Sequence, residues 1–317
     1  MAAGVPLLRG QDSPRPVFRV KVDMVVLAFT VTDGKNRYVN GLRPSDIRIF
    51  EDGIAQKLST FAEGSKPPLV IGEDGALHPL VEKASELPGM ESPDAFVGTN
   101  VFILFDTSDM MYRSFVYAQD AIADFVRGLD RSDSVAVYTF SRNLTRLAPL
   151  TRDHSGAING LRKAVAGDDT GLYNGLLLTL RDAARVPGRK VVIVFSNGPD
   201  NASVLSPSDV SAVAEDEGIP IYVISTAEVN KDEVSSNVFR RVAIRTGGKA
   251  FSARTWQRQV EAFENIREDL GNSYTITYYP APNPNEGFRK LAVEIVSDTG
   301  RKYTVHSRPG YRPGRGV

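Results

Sequence analysis

Apolar and polar positions alternate through VFRVKVDMVVLAFTVTD, residues 17–33, and again through DIRIFEDGIAQKLSTF, residues 46–61, where the pattern pivots on Asp52-Gly53. A period of two marks half-buried strands, and an Asp-Gly pair between two such runs marks a tight hairpin. Residues 17–63 therefore read as a small β unit. From 64 to 99 the pattern lapses. Prolines at 67, 68, 79, 88 and 93 deny this stretch a long helix or a central strand, so a linker or surface excursion is expected.

From Val101 the texture changes. Short apolar runs (VFILF, SVAVYTF, KVVIVFS, IPIYVIST) alternate with helix-period segments such as YAQDAIADFVRGL and GLYNGLLLTLRDAARV, and LTRLAPL has the look of an edge strand. Continuously apolar strands are those covered by helices on both faces, so residues 100–271 predict a doubly wound, mostly parallel α/β domain. Strand texture returns over 272–312 in SYTITYYP, FRKLAVEIVSD and RKYTVHSR. Neither β segment is large enough to bury a core alone, so the two are expected to pair into one discontinuous β-sandwich holding both ends of the chain. Residues 1–16 are expected to be disordered or the remnant of an export signal, because AAGVPLL is apolar and rich in small residues; 313–317 read as a tail.

Charge and composition remove several function classes. Lys plus Arg and Asp plus Glu both number 38, which leaves no global handle for nucleic acid or an anionic membrane. No apolar run reaches the roughly 20 residues of a spanning helix. Without cysteine there are no disulfides, thiolate metal sites or Cys nucleophiles. His78, His154 and His306 share no ligand-like spacing, and GxxxxGK[ST], HExxH and GxSxG are all absent. Trp256, Tyr278 and Tyr279 read as packing residues. Arg189-Lys190, leading into KVVIVFS, reads either as an anion-binding pair or, more commonly for such a position, as a solvated strand entry.

The candidate chemistry lies at strand ends. In an open parallel sheet the binding crevice lies beyond the carboxyl ends of the strands. There the first strand delivers Asp106, Thr107, Ser108, Asp109 and Met110, the loop GDDTGLYNG brings Asp168, Asp169 and Thr170, and KVVIVFS ends in Ser196, Asn197, Gly198, Pro199 and Asp200. Carboxylate, hydroxyl and carbonyl oxygens meeting at one point suit a hard divalent cation such as Mg²⁺. The pair Asp168-Asp169 reads as a solvated loop.

In the order and texture of these loops, the chain resembles the von Willebrand factor type A domain. With EDG near Phe50 and the closing RPGY at 308–311, it resembles more specifically a related family of bacterial, usually exported, proteins. The resemblance implies a metal-ion-dependent adhesion site built from a DxSxS strand end, a Thr and an Asp, completed by a partner's carboxylate. Asp106, Ser108 and Thr170 match. Met110 stands where the second Ser belongs, and Asn197 stands where the Asp belongs, so the implied site is degenerate. A thioether is a poor ligand for Mg²⁺, and an amide lacks the carboxylate's charge. Asp109 and Asp200 are further candidate ligands, and Asp106, Ser108, Asp109, Asp169, Thr170 and Asn197 form the expected partner-binding face.

The function implied is a non-enzymatic protein-binding or adhesion-type module, with another protein as partner, outside the cytoplasm. Two alternatives share the residues: a structural subunit of a larger assembly with a vestigial site, and a Mg²⁺-dependent phosphoryl-transfer enzyme with Asp106 as nucleophile. Enzymes of the latter kind that resemble the haloacid dehalogenase family carry a second Asp two residues on, where this chain has Ser108.

Overall fold

Asp52 and Gly53 both adopt positive φ, 50° and 83°, the conformation of a tight hairpin whose twist matches its strands. That turn joins two strands of the amino-terminal β unit. The computed structural model describes residues 24–83, 96–109, 111, 115–226, 233–296 and 302–313. The readings of residues 1–16, of Met110 and of most of the carboxy-terminal tail lie outside them.

The amino-terminal part contributes β1 (Val25–Asp33), β2 (Ile47–Glu51), β3 (Ile54–Gln56), β4 (Leu58–Glu63), β5 (Leu69–Ile71), β6 (Leu77–Pro79) and the single turn α1 (Leu80–Lys83). The middle part alternates, with β7 (Asn100–Asp106), α2 (Phe115–Arg127), β8 (Ser134–Phe140), β9 (Leu144–Thr151), α3 (His154–Leu161), α4 (Leu172–Ala184) and β10 (Lys190–Ser196). It continues through α5 (Pro207–Asp216), β11 (Ile221–Ser225), α6 (Glu233–Thr246), β12 (Ala250–Ser252) and α7 (Trp256–Gly271). The chain closes with β13 (Ser273–Tyr278), β14 (Arg289–Ile295), β15 (Tyr303–Ser307) and β16 (Gly310–Tyr311).

The two ends of the chain form the sandwich. One sheet runs β15-β1-β13-β4-β5-β6 and the other β16-β14-β2-β3. Val25 to Thr30 pair with Tyr278 to Ser273, and Phe29 to Asp33 pair with Ser307 to Tyr303, so carboxy-terminal strands flank β1 on both sides. Leu27, Phe29 and Val31 from one sheet bury against Ile47 and Ile49 from the other, with Tyr274, Ile276 and Tyr278 filling the layer between. Residues 64–83 are not a plain linker: β5 and β6 extend the first sheet at its edge. Short strands ending in Pro79 are compatible with an edge, where a missing N–H faces no neighbour.

The middle part is a sheet in the order β12-β11-β10-β7-β8-β9, parallel except for β9. Every residue of β7 is buried. Val101, Ile103 and Phe105 face the layer containing α2, α3 and α7, while Phe102 and Leu104 face that containing α4, α5 and α6. Burial on both faces is why these strands are apolar without alternation. This is the mixed α/β fold with antiparallel sheets from both chain ends that the hydrophobic pattern predicts.

Candidate functional site

β7 lies between β10 and β8, the position where the strand order reverses. A crevice forms there because the connections leave in opposite directions on either side. Asp106 ends β7 and Ser196 ends β10, which sets these two side chains at the switch point.

Asp106 is fully buried. Its Oδ1 accepts from the backbone N–H of Ser108 at 2.9 Å, and its Oδ2 accepts from the Ser196 hydroxyl at 2.6 Å. Burial pushes the carboxyl group above the ordinary aspartate range, against the opposing pull of the Ser196 hydroxyl and the Ser108 N–H. The strand end is therefore a desolvated carboxyl group whose hydrogen bonds to the Ser196, Ser108 and Asn197 groups offset its burial only in part.

Backbone bonds stitch the second loop to the first. Gly167 N–H donates to the Thr107 carbonyl at 2.7 Å, and Asp109 N–H donates to the Asp168 carbonyl at 3.0 Å. Asn201 ties the third loop to the second. Its Oδ1 accepts from Thr170 N–H at 2.9 Å, while its own N–H and that of Ala202 donate to the Thr170 carbonyl at 3.1 Å each. Thr170 is buried, and the three loops form one bonded rim.

Two oxygens on that rim lack a well-formed hydrogen bond, although the Ser108 hydroxyl lies near enough to Asp106 to help pull its carboxyl group down. Ser108 Oγ and Asn197 Oδ1 are both buried without a hydrogen bond. Such groups cost stability unless something completes them. With the Asp106 carboxylate and the Thr170 hydroxyl they make an all-oxygen donor set that fits a hard cation. The set carries one carboxylate, and no group of three His, Cys, Asp or Glu among the described residues could hold a metal ion. The residues fit Mg²⁺ in ligand type and are poor in charge.

The remaining sequence candidates sit differently. Asp200 accepts at Oδ2 from Tyr173 N–H at 2.9 Å and at Oδ1 from Ala202 and Ser203 N–H at 3.2 and 2.8 Å, so its carboxylate serves the amino terminus of α4 and its own turn. Asp169 pairs with Arg142 at 2.7 Å. Asp109 and Asp168 are exposed. Neither Asn201, the clamp between loops, nor Arg142, the counterion of Asp169, was legible from spacing.

Around this rim stands exposed apolar surface. Val165 precedes the second loop, Val204 follows the third and is 94% exposed, and Val116 and Tyr117 open α2 just after the first. The Tyr117 ring lies 6.4 Å from that of Trp256. These side chains all stand on segments that flank the three loops.

The model of the von Willebrand factor type A domain matches residues 100–266, more than half of the chain. The chain belongs to this family. Among curated proteins, the von Willebrand A chain is similar to a UPF0353 protein of Mycolicibacterium gilvum, 23% identical over 180 residues covering 49% of this chain and 53% of the relative. A UPF0353 protein of Mycolicibacterium vanbaalenii is 22% identical over 190 residues, 52% of this chain and 56% of that protein. The chain thus spans about half the length of the curated relatives it matches. Among solved structures, a von Willebrand factor type A protein from Catenulispora acidiphila is 12% identical over 92% of this chain and 74% of its own, with a TM-score of 0.47. The vWF domain of the type V pili tip protein Mfa5 from Porphyromonas gingivalis is 12% identical over 55% of this chain and 95% of its own, also with a TM-score of 0.47.

Proposed function

We propose that this von Willebrand A domain is a protein-recognition module, of adhesion type, whose partner docks on the rim around Asp106, Ser108, Thr170 and Asn197. The observation that carries the reading is the pairing of two unpartnered buried oxygens, Ser108 Oγ and Asn197 Oδ1, with a surrounding fringe of exposed Val116, Tyr117, Val165 and Val204. A polar centre left incomplete, with large apolar side chains exposed on the elements beside it, is a surface that another protein can cover.

Asp106, Ser108, Thr170 and Asn197 would hold a divalent cation, which would supply a Lewis-acidic point for a carboxylate of the partner. Asp106 meets that need by orientation, since its carboxylate is held by the Ser196 hydroxyl and the Ser108 N–H. Asn197 leaves the set one negative charge short, so cation affinity is low until the partner adds its carboxylate. Recognition outside the cytoplasm is what the sequence resemblance to a family of usually exported bacterial proteins implies. Among the described residues no helix is long and apolar enough to cross a membrane.

The phosphoryl-transfer alternative is disfavoured by the residue at 108. Ser108, two residues after Asp106, stands where a phosphoryl-transfer site of this kind needs its second carboxylate, and a hydroxyl cannot act as that acid or base.

The test is affinity capture from the native source with the wild-type chain and with a Tyr117→Ala/Val204→Asp variant. A partner retained by the first and lost by the second, at equal melting temperature, supports the assignment. Equal retention by both would remove it.

A further inference from the structure

Arg189 and Lys190 are not a solvated strand entry. Arg189 is 6% exposed and Lys190 half-buried, because the β-sandwich packs over the start of β10. With Arg289, Arg308 and Arg312 they line a cleft of about 340 Å³ between the sandwich and the lower end of the α/β sheet. The carboxylates of that lining are Asp216 and Glu217. Arg289 is closed onto the buried Glu51 at 2.8 Å. Among the described residues, none of the other four cations has a carboxylate within the 4.0 Å of an ion pair.

Backbone carbonyls hold the two buried guanidinium groups. Arg189 Nη1 donates to the Leu270 carbonyl, in the last turn of α7, at 3.0 Å. Arg308 donates from Nη1 to the Glu215 carbonyl, in the last turn of α5, at 2.6 Å, and from Nη2 to the Val26 carbonyl at 3.1 Å. A guanidinium has five N–H donors, so each arginine has more donors than acceptors here, and both Nε groups are buried without a partner. Helix carboxy termini offer only a fraction of a negative charge. The Tyr311 ring, 5.2 Å from Arg308 Cζ, adds a quadrupole and no charge. Burial lowers the pKa of Arg189, Lys190 and Arg308, and the more distant carboxylates of Asp133 and Asp269, of Glu217, and of Asp216 and Glu215 respectively pull the other way without reversing it.

Buried cations of this kind are normally matched by an anion. We propose that the cleft binds a tetrahedral oxyanion of the phosphate or sulfate class, free or as the head of a monoester, between Arg189, Lys190, Arg308 and Arg312. The planar arginine fork suits such oxygens and the lysine adds a point charge. One wall belongs to β1 and residues 308–313, the other to β10 and the end of α5, so the bound anion ties the sandwich to the α/β domain. The cleft is independent of the recognition rim, because Lys190 begins β10 and Ser196 ends it, about 20 Å apart at the rise of an extended strand.

Calorimetric titration of the full chain with inorganic phosphate, sulfate and glycerol 3-phosphate, at constant ionic strength set with chloride, tests the site. Saturable binding and a rise in melting temperature of about 3 °C at saturation are expected. Lys190→Gln keeps the arginine–carbonyl bonds and is expected to weaken binding about tenfold, with Arg312→Gln adding to the loss. Tighter binding of glycerol 3-phosphate than of inorganic phosphate supports a monoester, and equal binding supports the free ion. Absence of saturable heat with all three probes, or unchanged affinity in the Lys190→Gln/Arg312→Gln variant, overturns the proposal.

Discussion

The Ser196 hydroxyl donates to Oδ2 of the buried Asp106 at 2.6 Å, joining the ends of two neighbouring parallel strands across the switch point of the sheet. Ser196→Ala leaves that oxygen buried with its donor gone. The expected loss is about 1–3 kcal/mol of unfolding free energy, with the fold retained, measured by urea titration. A change below about 0.5 kcal/mol would show that Asp106 is protonated or otherwise satisfied.

A second prediction concerns pH. The folded-state pKa of Asp106 is raised above the ordinary value of 3.8. A raised pKa means the folded state holds the proton more tightly, so the stabilisation is complete below the unfolded value and is lost as pH rises through the folded one. In chelator, wild type is therefore expected to lose stability relative to Asp106→Asn as pH rises from about 4 towards neutrality. Melting curves of the two proteins across that range check it. Parallel curves would contradict it.

A third prediction concerns the cation of the proposed site. Asn197→Asp restores a second carboxylate beside Asp106, and Mg²⁺ affinity tracks the charge of the ligand set. The substitution is expected to tighten Mg²⁺ binding about tenfold or more, read by calorimetry, and to raise the melting temperature in Mg²⁺ over chelator. Equal affinity in the two proteins would mean that residue 197 does not face the ion.

Glu51 anchors the sandwich. It is fully buried and accepts from Tyr311 Oη at 2.7 Å, Tyr278 Oη at 3.1 Å and Arg289 Nη1 at 2.8 Å. Glu51→Ala takes from the largely covered Arg289 guanidinium its only carboxylate among the described residues, and from two phenols their acceptor, for an expected loss of about 3 kcal/mol. Tyr311→Phe removes one bond, about 1 kcal/mol. Denaturant unfolding of both variants gives the comparison, and similar losses would contradict the shared-hub reading.

This hub also shows what the sequence could and could not carry. The Asp52-Gly53 hairpin, the continuous apolar β7 and β10, and the closing strands announce themselves through period and turn chemistry. Glu51 and Tyr311 each stand in a motif that was legible, EDG and RPGY, while their bond spans 260 residues and is set by packing. The same holds for Arg189, whose burial depends on the sandwich and whose carbonyl partner Leu270 lies 81 residues on. Short edge strands β5 and β6 escaped notice because three residues carry no period.

At the rim, residue types pointed to Asp106, Ser108 and Thr170 because strand ends in this fold face a crevice. Asp200 was read by type alone, and its carboxylate serves a helix terminus through three backbone N–H groups. Carboxylates near helix starts are drawn to free N–H groups, and that competition is invisible until the helix boundary is known.

The most direct measurement of the central claim is site-specific photo-crosslinking in the native source, with the probe at Val204 on the rim or at Ile244 by the lower end of the sheet, both exposed. Recognition by the rim predicts a discrete protein adduct from position 204 and none from 244. An adduct confined to 244, or none at 204 while the chain still captures its partner, would place recognition elsewhere.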